Sequence, residues 1–386
     1  MGSRKSLLFS PYELRSVSFR NRIVLSPMQM YLAGDDGIAT EWHFQHLAKY
    51  AVAGVGCVFT EVLPPEPRGR NTHWDLGIWD DSQVPALTRI AKFIEETGAV
   101  PAAQMGHAGT KAARQRPFDG LQPLGESDAA RGEPPWPPAG PMDEANVEGY
   151  HTPHALSAAE IHQLGDHFGK GVARLALSGF RFLEIHAAHG YLIHSFYSPI
   201  SNRRTDAYGG DRSGRMRFAL EVAESVRANW PEQFPLSFRI SSIDAVDGGW
   251  DLEDSVNLVR ELKSRGVDIV DCSSRGVGAA NSLARLEKEG KSLEEGYQVP
   301  YSEHLRNTVP IPTIAVGLIT RPEFAEKILQ DGRADLIAMG RELLYEPHWV
   351  LHAARTLECE TKWKDWPPSW EWWLEKREKL GIKRVD

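Results

Sequence analysis

Eight short runs rich in β-branched and other apolar residues recur along this chain, each followed by a polar loop and then an amphipathic helical pattern. The runs are Ile23–Ser26, Cys57–Val62, Val100–Gln104, Phe180–Ile185, Leu236–Ile240, Val267–Cys272, Thr313–Val316 and Ala334–Ala338. Between them, apolar residues return at helical spacing, as in Val84, Leu87, Ile90, Ala91 and Ile94, or in Ile161, Leu164, Phe168, Val172 and Leu175. Strands that alternate with helices imply a parallel sheet, because parallel neighbours need crossover connections. The runs are apolar almost throughout, as strands covered on both faces are. Eight repeats favour closure into an α/β barrel of the (β/α)8 TIM type over an open doubly wound sheet. Thr320-Arg-Pro-Glu323 reads as a capping box that opens the seventh helix.

The repeats occupy residues 1–360 as one domain, with two segments left over. Ala108 to Ser157 is too long for an ordinary loop and reads as a cap over the barrel mouth. It contains Glu133-Pro-Pro-Trp-Pro-Pro-Ala-Gly-Pro141, which neither a helix nor a central strand accommodates. Residues 361–386 form an extension with five of the chain's 12 Trp residues: Trp363, Trp366, Trp370, Trp372 and Trp373. Pro367 and Pro368 prevent one regular helix from spanning it. Aromatics at that density need cover, either from the outer helices of their own barrel or from a neighbouring subunit in a homo-oligomer, a dimer or tetramer.

The bulk chemistry excludes several classes. A net charge of -8 and a pI near 6.0 argue against a nucleic-acid binder, which carries a basic surplus. No apolar stretch reaches the eighteen or so residues of a membrane span, and Met1–Ser10 lacks the apolar core of a secretory signal. Cys57, Cys272 and Cys359 are too dispersed for a disulfide framework or a C-x-x-C metal site. A cytoplasmic enzyme is the expectation.

In such a barrel the chemistry lies at the C-terminal ends of the strands. Those ends read Ser26-Pro-Met-Gln-Met-Tyr31 after the first, Gln104-Met-Gly-His-Ala-Gly109 with Lys111 after the third, and Glu184-Ile-His-Ala-Ala-His-Gly-Tyr191 after the fourth. Arg239 lies on the fifth, Val316-Gly-Leu318 ends the seventh, and Met339-Gly-Arg341 ends the eighth. Gly317 or Gly340 alone would be a turn glycine. As a pair they match the phosphate loops of these barrels, where bare backbone and helix N-termini favour an anion and Arg341 adds a charge-assisted fork. His186 and His189 have three readings: metal ligands lacking a third partner, buried histidines satisfying other polar groups, or two N–H donors converging on a carbonyl oxygen. On the last reading, Tyr191 stands ready to deliver a proton. No metal is expected. Arg239 needs either a carboxylate, with Asp244, Asp271 and Glu61 as candidates, or an electron-rich ligand. Arg68 and Arg70 read as surface residues.

Together these residues resemble the Old Yellow Enzyme family, in its branch of short single-domain ene-reductases, from about Phe9 to about Arg355. The strongest stretch is Glu184-Ile-His-Ala-Ala-His-Gly-Tyr-Leu-Ile-His-Ser-Phe-Tyr-Ser-Pro199, continuing into Ser201-Asn-Arg-Arg-Thr-Asp-Ala-Tyr-Gly-Gly210. Arg22-Ile-Val-Leu-Ser-Pro-Met28, His107-Ala-Gly109, Asp271-Cys-Ser-Ser274 and Ala334-Asp-Leu-Ile-Ala-Met-Gly-Arg341 match in the same order.

The resemblance implies a bound FMN reduced by NADPH or NADH, and an electron-poor alkene as the small-molecule substrate. Ser26, Pro27, Met28, Gln29 and Val62 would line the flavin, Gln104 would meet its pyrimidine ring, and Arg239 would lie near N1 and O2. Gly317, Gly340 and Arg341 would hold its phosphate. His186 and His189 would bind the substrate carbonyl, with Tyr31 beside it and Tyr191 as the general acid. Two positions depart from the family. Gln29 stands where this branch usually has a cysteine, and the Trp-rich extension replaces an ending that carries an arginine to a neighbouring active site. Two other activities fit the same framework: an FMN barrel dehydrogenase working in the oxidative direction, and a flavin-binding protein without turnover.

Overall fold

All eight apolar runs pair with their sequence neighbours and close into a parallel barrel in the order of the chain. The structure is a computed structural model that describes residues 6–145, 149–274, 276–277, 292–359 and 366–381. The strands are β1 (Ile23–Leu25), β2 (Cys57–Leu63), β3 (Val100–Met105), β4 (Phe182–Ala187), β5 (Leu236–Ser241), β6 (Ile269–Ser273), β7 (Thr313–Ala315) and β8 (Leu336–Met339). The ring closes where Ile337, Ala338 and Met339 pair with Ile23, Val24 and Leu25. Around it run α1 (Glu41–Val52), α2 (Val84–Glu96), α3 (Ala158–Leu177), α4 (Arg212–Asn229), α5 (Leu252–Ser264), α6 (Val299–Thr308), α7 (Pro322–Gln330) and α8 (Trp349–Thr356). Among the described residues, no helix is long and apolar enough to cross a membrane.

One end of the barrel is stoppered and the other is free for chemistry. A hairpin of Tyr12–Leu14 and Val17–Phe19 packs Leu14, Val17 and Phe19 against Cys57, Val100, Phe182, Ile269 and Leu336, at the starts of the strands. Phe19 meets Phe182 edge to face at 5.7 Å. The apolar plug fills the N-terminal end, so polar groups gather at the C-terminal rim.

Three strands begin about two residues later than the apolar pattern implies, at Phe182, Ile269 and Leu336. Phe180 and Val267 before two of them are buried but bond as turns, Phe180 N–H donating to Leu175 O and Val267 N–H to Leu262 O. Hydrophobicity reports burial, whereas strand bounds follow hydrogen bonding. The capping box at Thr320 is corrected too. α7 starts at Pro322 after Arg321, and Glu295 reaches across to accept from Thr320 N–H, Thr320 Oγ and Arg321 N–H. A distant carboxylate thus satisfies the orphan donors that a local motif was expected to meet. Arg70 is buried rather than on the surface, bonding Asp35 Oδ1 at 2.9 Å and lying beneath Trp79 and Trp136.

The described residues of the 108–157 segment pack on the loops that follow β2 and β4, without lining the main cavity. Trp136 Nε1 donates to Arg68 O, Trp74 Nε1 to Glu133 Oε1, and Arg204 Nη1 to Pro141 O. In the C-terminal extension, Trp366 is buried on its own barrel, donating from Nε1 to Ala53 O at 2.9 Å. A helix α9 (Pro368–Lys379) follows, with Trp370 half-buried and Trp372 and Trp373 exposed in the single chain. Trp363 lies outside the described residues.

The rim is braced by buried ionic clusters. Glu66, after β2, accepts from His107 Nε2 of the β3 loop and His167 Nδ1 of α3, each at 3.0 Å, and from Arg68. Burial pushes the Glu66 carboxyl up, but the bonds and charges of His107 and Arg68 outweigh it and hold the group at about 2. A folded-state value below the unfolded one stabilises the fold above the unfolded pKa, and that contribution is lost as pH falls through the folded one. The drop from 4.5 to about 2 corresponds to roughly 3 kcal/mol at neutral pH. Glu66→Gln is therefore expected to lower urea stability by that order at pH 7, and to flatten its decline between about pH 5 and 2 relative to the wild type. Parallel pH profiles for the two proteins would show that the cluster does not act this way.

Candidate functional site

A cavity of about 640 Å³ opens at the C-terminal rim, within the size range of cofactor and ligand sites. Ser26, Pro27, Met28, Gln29 and Tyr31 line it from the loop after β1, and Arg239 from β5. Gly317 lines it after β7, Gly340 and Arg341 after β8, and His189 from the loop after β4. The crossover geometry makes this convergence possible, because every parallel strand delivers its C-terminal loop to one rim.

The two glycines leave backbone bare where a side chain would be crowded. Gly317 has φ +116°, and a Cβ there would meet Tyr297 at 3.1 Å; at Gly340 it would meet Met28 Sδ at 3.1 Å. Arg341 is exposed beside them and forms no ion pair among the described residues. Arg239 is only 7% exposed. Its Nη1 donates to Ser26 Oγ at 3.0 Å, and its Nε lies 3.5 Å from Asp271 Oδ2 without a hydrogen-bond acceptor. Asp271 is thus its carboxylate, while Asp244 pairs with His194 and Glu61 accepts from Met30 N–H. Bare glycine backbone, an unpaired cation and a buried orphan N–H fit a phosphate-bearing, electron-rich group such as FMN.

His186, His189 and Tyr191 form a second cluster that enters the cavity through His189. His186 stacks on Tyr191 at 4.5 Å and 21°, and its Nε2 lies 3.2 Å from His189 Nδ1. Burial, with the charges of Arg239 and Lys111, holds His186 well below the ordinary imidazole value, so it is neutral at pH 7. His189 takes a left-handed φ of 60°, held where its N–H donates to Ser241 Oγ at 2.9 Å and its carbonyl accepts from Lys111 Nζ. Beneath the loop, His194 bonds Asp244 at 2.9 Å and accepts from Gly190 N–H at 2.8 Å. Tyr31, also at a left-handed φ of 59°, has its hydroxyl pushed above the ordinary phenol value by burial and by the neighbouring Tyr191. Among the described residues, no group of His, Cys, Asp or Glu is arranged to hold a metal ion.

Two expected flavin contacts stand apart from the cavity lining. Val62 N–H donates to Gln29 Oε1 at 3.1 Å, and Gln104 is bound through Nε2 to Glu184 Oε1 at 2.7 Å on the barrel interior. Ser273, Ser274, Tyr297 and Gln298 line the cavity without having been singled out from the sequence. Ser273 was within reach, because it ends a strand inside Asp271-Cys-Ser-Ser274. Tyr297 and Gln298 precede α6 with no motif to mark them.

Comparison with known proteins agrees with this geometry. The model of the NADH:flavin oxidoreductase / NADH oxidase family matches residues 7–360. An NADPH dehydrogenase of Listeria innocua is 40% identical over 353 residues, covering 91% of this chain and 95% of that one. An NADPH dehydrogenase of Bacillus subtilis is 38% identical over 354 residues, covering 92% and 96%. Among solved structures, an old yellow enzyme homologue from Zymomonas mobilis superimposes with a TM-score of 0.69 at 24% identity, covering 88% of this chain and 90% of that one. A 2-naphthoyl-CoA reductase gives 0.77 at 20% identity, covering 89% of this chain and 51% of that one. At such identities the structural likenesses speak to the fold, while the family match spans all eight strands and both glycine loops. The chain belongs to the NADH:flavin oxidoreductase / NADH oxidase family, that of Old Yellow Enzyme, and is an FMN oxidoreductase that draws on NADPH or NADH.

Proposed function

We propose that this chain reduces the activated C=C bond of α,β-unsaturated carbonyl compounds. The observation that carries the reading is the cluster of His186, His189 and Tyr191, set beside a cavity whose far wall suits a flavin phosphate. Bound FMN would supply the redox chemistry, carrying hydride from NADPH or NADH to the alkene. Met28, Gln29 and Arg239 would hold the ring system, while Gly317, Gly340 and Arg341 would hold the phosphate. Gln29, whose oxygen is engaged by Val62 N–H, offers an amide donor where a cysteine would offer a thiol.

The two imidazoles bind the substrate carbonyl and polarise it, which leaves the β-carbon electron-poor. The rings serve this purpose by donating hydrogen bonds that strengthen as negative charge grows on the oxygen. Tyr191, held flat against His186, gives its proton to the α-carbon. Lys111 and Ser241 fix the backbone of His189, so the ring pair keeps its place.

Oxidation of NADPH or NADH by 2-cyclohexenone, with saturated ketone as product, is the direct test; FMN-loaded protein that reduces no enone, nitroalkene or maleimide would remove the proposal. The purified protein should be yellow and release FMN on denaturation. Arg341→Ala should lower FMN retention on dialysis by about tenfold or more, the scale of a charge-assisted contact to an anion. Equal retention by wild type and variant would move the phosphate site elsewhere. Tyr191→Phe should slow the enone-driven half-reaction by ~10²–10⁴-fold, with flavin reduction by NADPH nearly unchanged. Loss of the reductive half-reaction alone would contradict the role given to Tyr191.

A further inference from the structure

His189 is bonded on both sides of its ring, and counting the protons on those bonds assigns a role to a residue outside the expected site. Nδ1 lies 3.2 Å from His186 Nε2, and Nε2 lies 2.7 Å from the Oγ of Ser273. Ser273 ends β6, is 3% exposed and lines the cavity. Its Oγ also accepts from Gln298 Nε2 at 2.9 Å, and Gln298 is equally buried.

Ala188 N–H donates to His186 Nδ1 at 3.2 Å, so that nitrogen is bare and a neutral His186 carries its proton on Nε2, facing His189. A donor on His186 needs an acceptor opposite it, and that acceptor is His189 Nδ1, 3.2 Å away. His189 Nδ1 is therefore bare, and its proton lies on Nε2, donated to Ser273. This tautomer cannot grip a substrate oxygen between the rings, because both facing nitrogens must then donate. Binding requires Nδ1–H on His189, which leaves Nε2 bare and, in a buried site, in need of a donor. Ser273 can supply it: its oxygen keeps a lone pair for Gln298 while its hydroxyl hydrogen turns to Nε2.

We propose that Ser273, oriented by Gln298, is a positioning residue that sets the tautomer of His189, accepting from Nε2–H in the free protein and donating to bare Nε2 when a substrate oxygen lies between the imidazoles. One proton moves from Nε2 to Nδ1 by exchange with cavity water, with no change in net charge. The inference rests on the reading of the histidine pair as the substrate-oxygen site.

FMN-loaded protein with ¹⁵N-labelled histidine tests it directly, with 4-chlorophenol as the enolate-like probe. Nitrogen shifts of His189 should report a protonated Nε2 without the phenol and a protonated Nδ1 with it. Ser273→Ala should raise the dissociation constant for the phenol, read from its charge-transfer band, by about tenfold, and Ser273→Thr should restore it. Gln298→Glu should also weaken phenol binding, because a carboxylate draws the Ser273 hydroxyl to itself and keeps the His189 proton on Nε2. Wild-type His189 shifts that do not respond to the phenol would overturn the inference, as would unchanged binding in Ser273→Ala. His186→Ala and His189→Ala separate the two levels. If they weaken binding while Ser273→Ala does not, only the tautomer role fails; if they too leave it unchanged, the oxygen-site reading fails.

Discussion

Arg239 places a permanent positive charge on the inner face of the barrel, where water cannot answer it. A guanidinium there is tolerable only if its surroundings supply negative charge or hydrogen-bond acceptors. Asp271 on the adjacent strand supplies one carboxyl, and Glu184, across the register on β4, supplies another within electrostatic reach. Burial raises the proton affinity of both carboxyls, and Arg239 pulls against it. Gln104 and Ser237 fix Glu184 from two sides, and Ser26 receives the guanidinium from the loop after β1. Four strands and that loop therefore meet in one polar network at the level where the apolar interior ends. The network leaves Arg239 Nε buried without an acceptor, and the cavity above it lies in the positive field of the guanidinium, which suits a ligand that gathers negative charge.

Above that network, precision comes from loops pinned by other loops. The turn after β4 carries two successive left-handed residues, His189 and Gly190, an uncommon conformation at a residue with a Cβ. Ser241, Lys111 and His194 hold it from three different segments, and Asp244 with Ser198 and Trp250 holds His194 in turn. Such backing converts a strained turn into a fixed mount for an imidazole.

The barrel was legible because its strands are covered on both faces and so read as unbroken apolar runs. Their ends were less so, since Phe180 and Val267 are as buried as any strand residue yet bond as turns. Residues that line the cavity were legible where the rule of strand ends applied, as for Gly317, Gly340, Arg341 and His189. The rule missed what depends on remote partners. Gln298 is marked by nothing local; only the folded chain brings it to Ser273, 25 positions away in sequence. Thr320 and Arg70 failed for the same reason in reverse, since a local expectation gave way to Glu295 in one case and Asp35 in the other.

Closure between β1 and β8 has a consequence for how the chain is made. The pairing of Ile23 with Ile337 joins the first strand to the eighth, so synthesis must pass β8 before the ring can shut. Until then β1 offers an unsatisfied edge, and the growing sheet remains an open, apolar ribbon exposed on the ribosome. Ring closure is thus late by topology, because it waits on one of the longest-range pairings in the molecule. Truncations that remove β8 do not shorten the enzyme; they leave seven strands with two open edges, and aggregation is the natural fate of such a product.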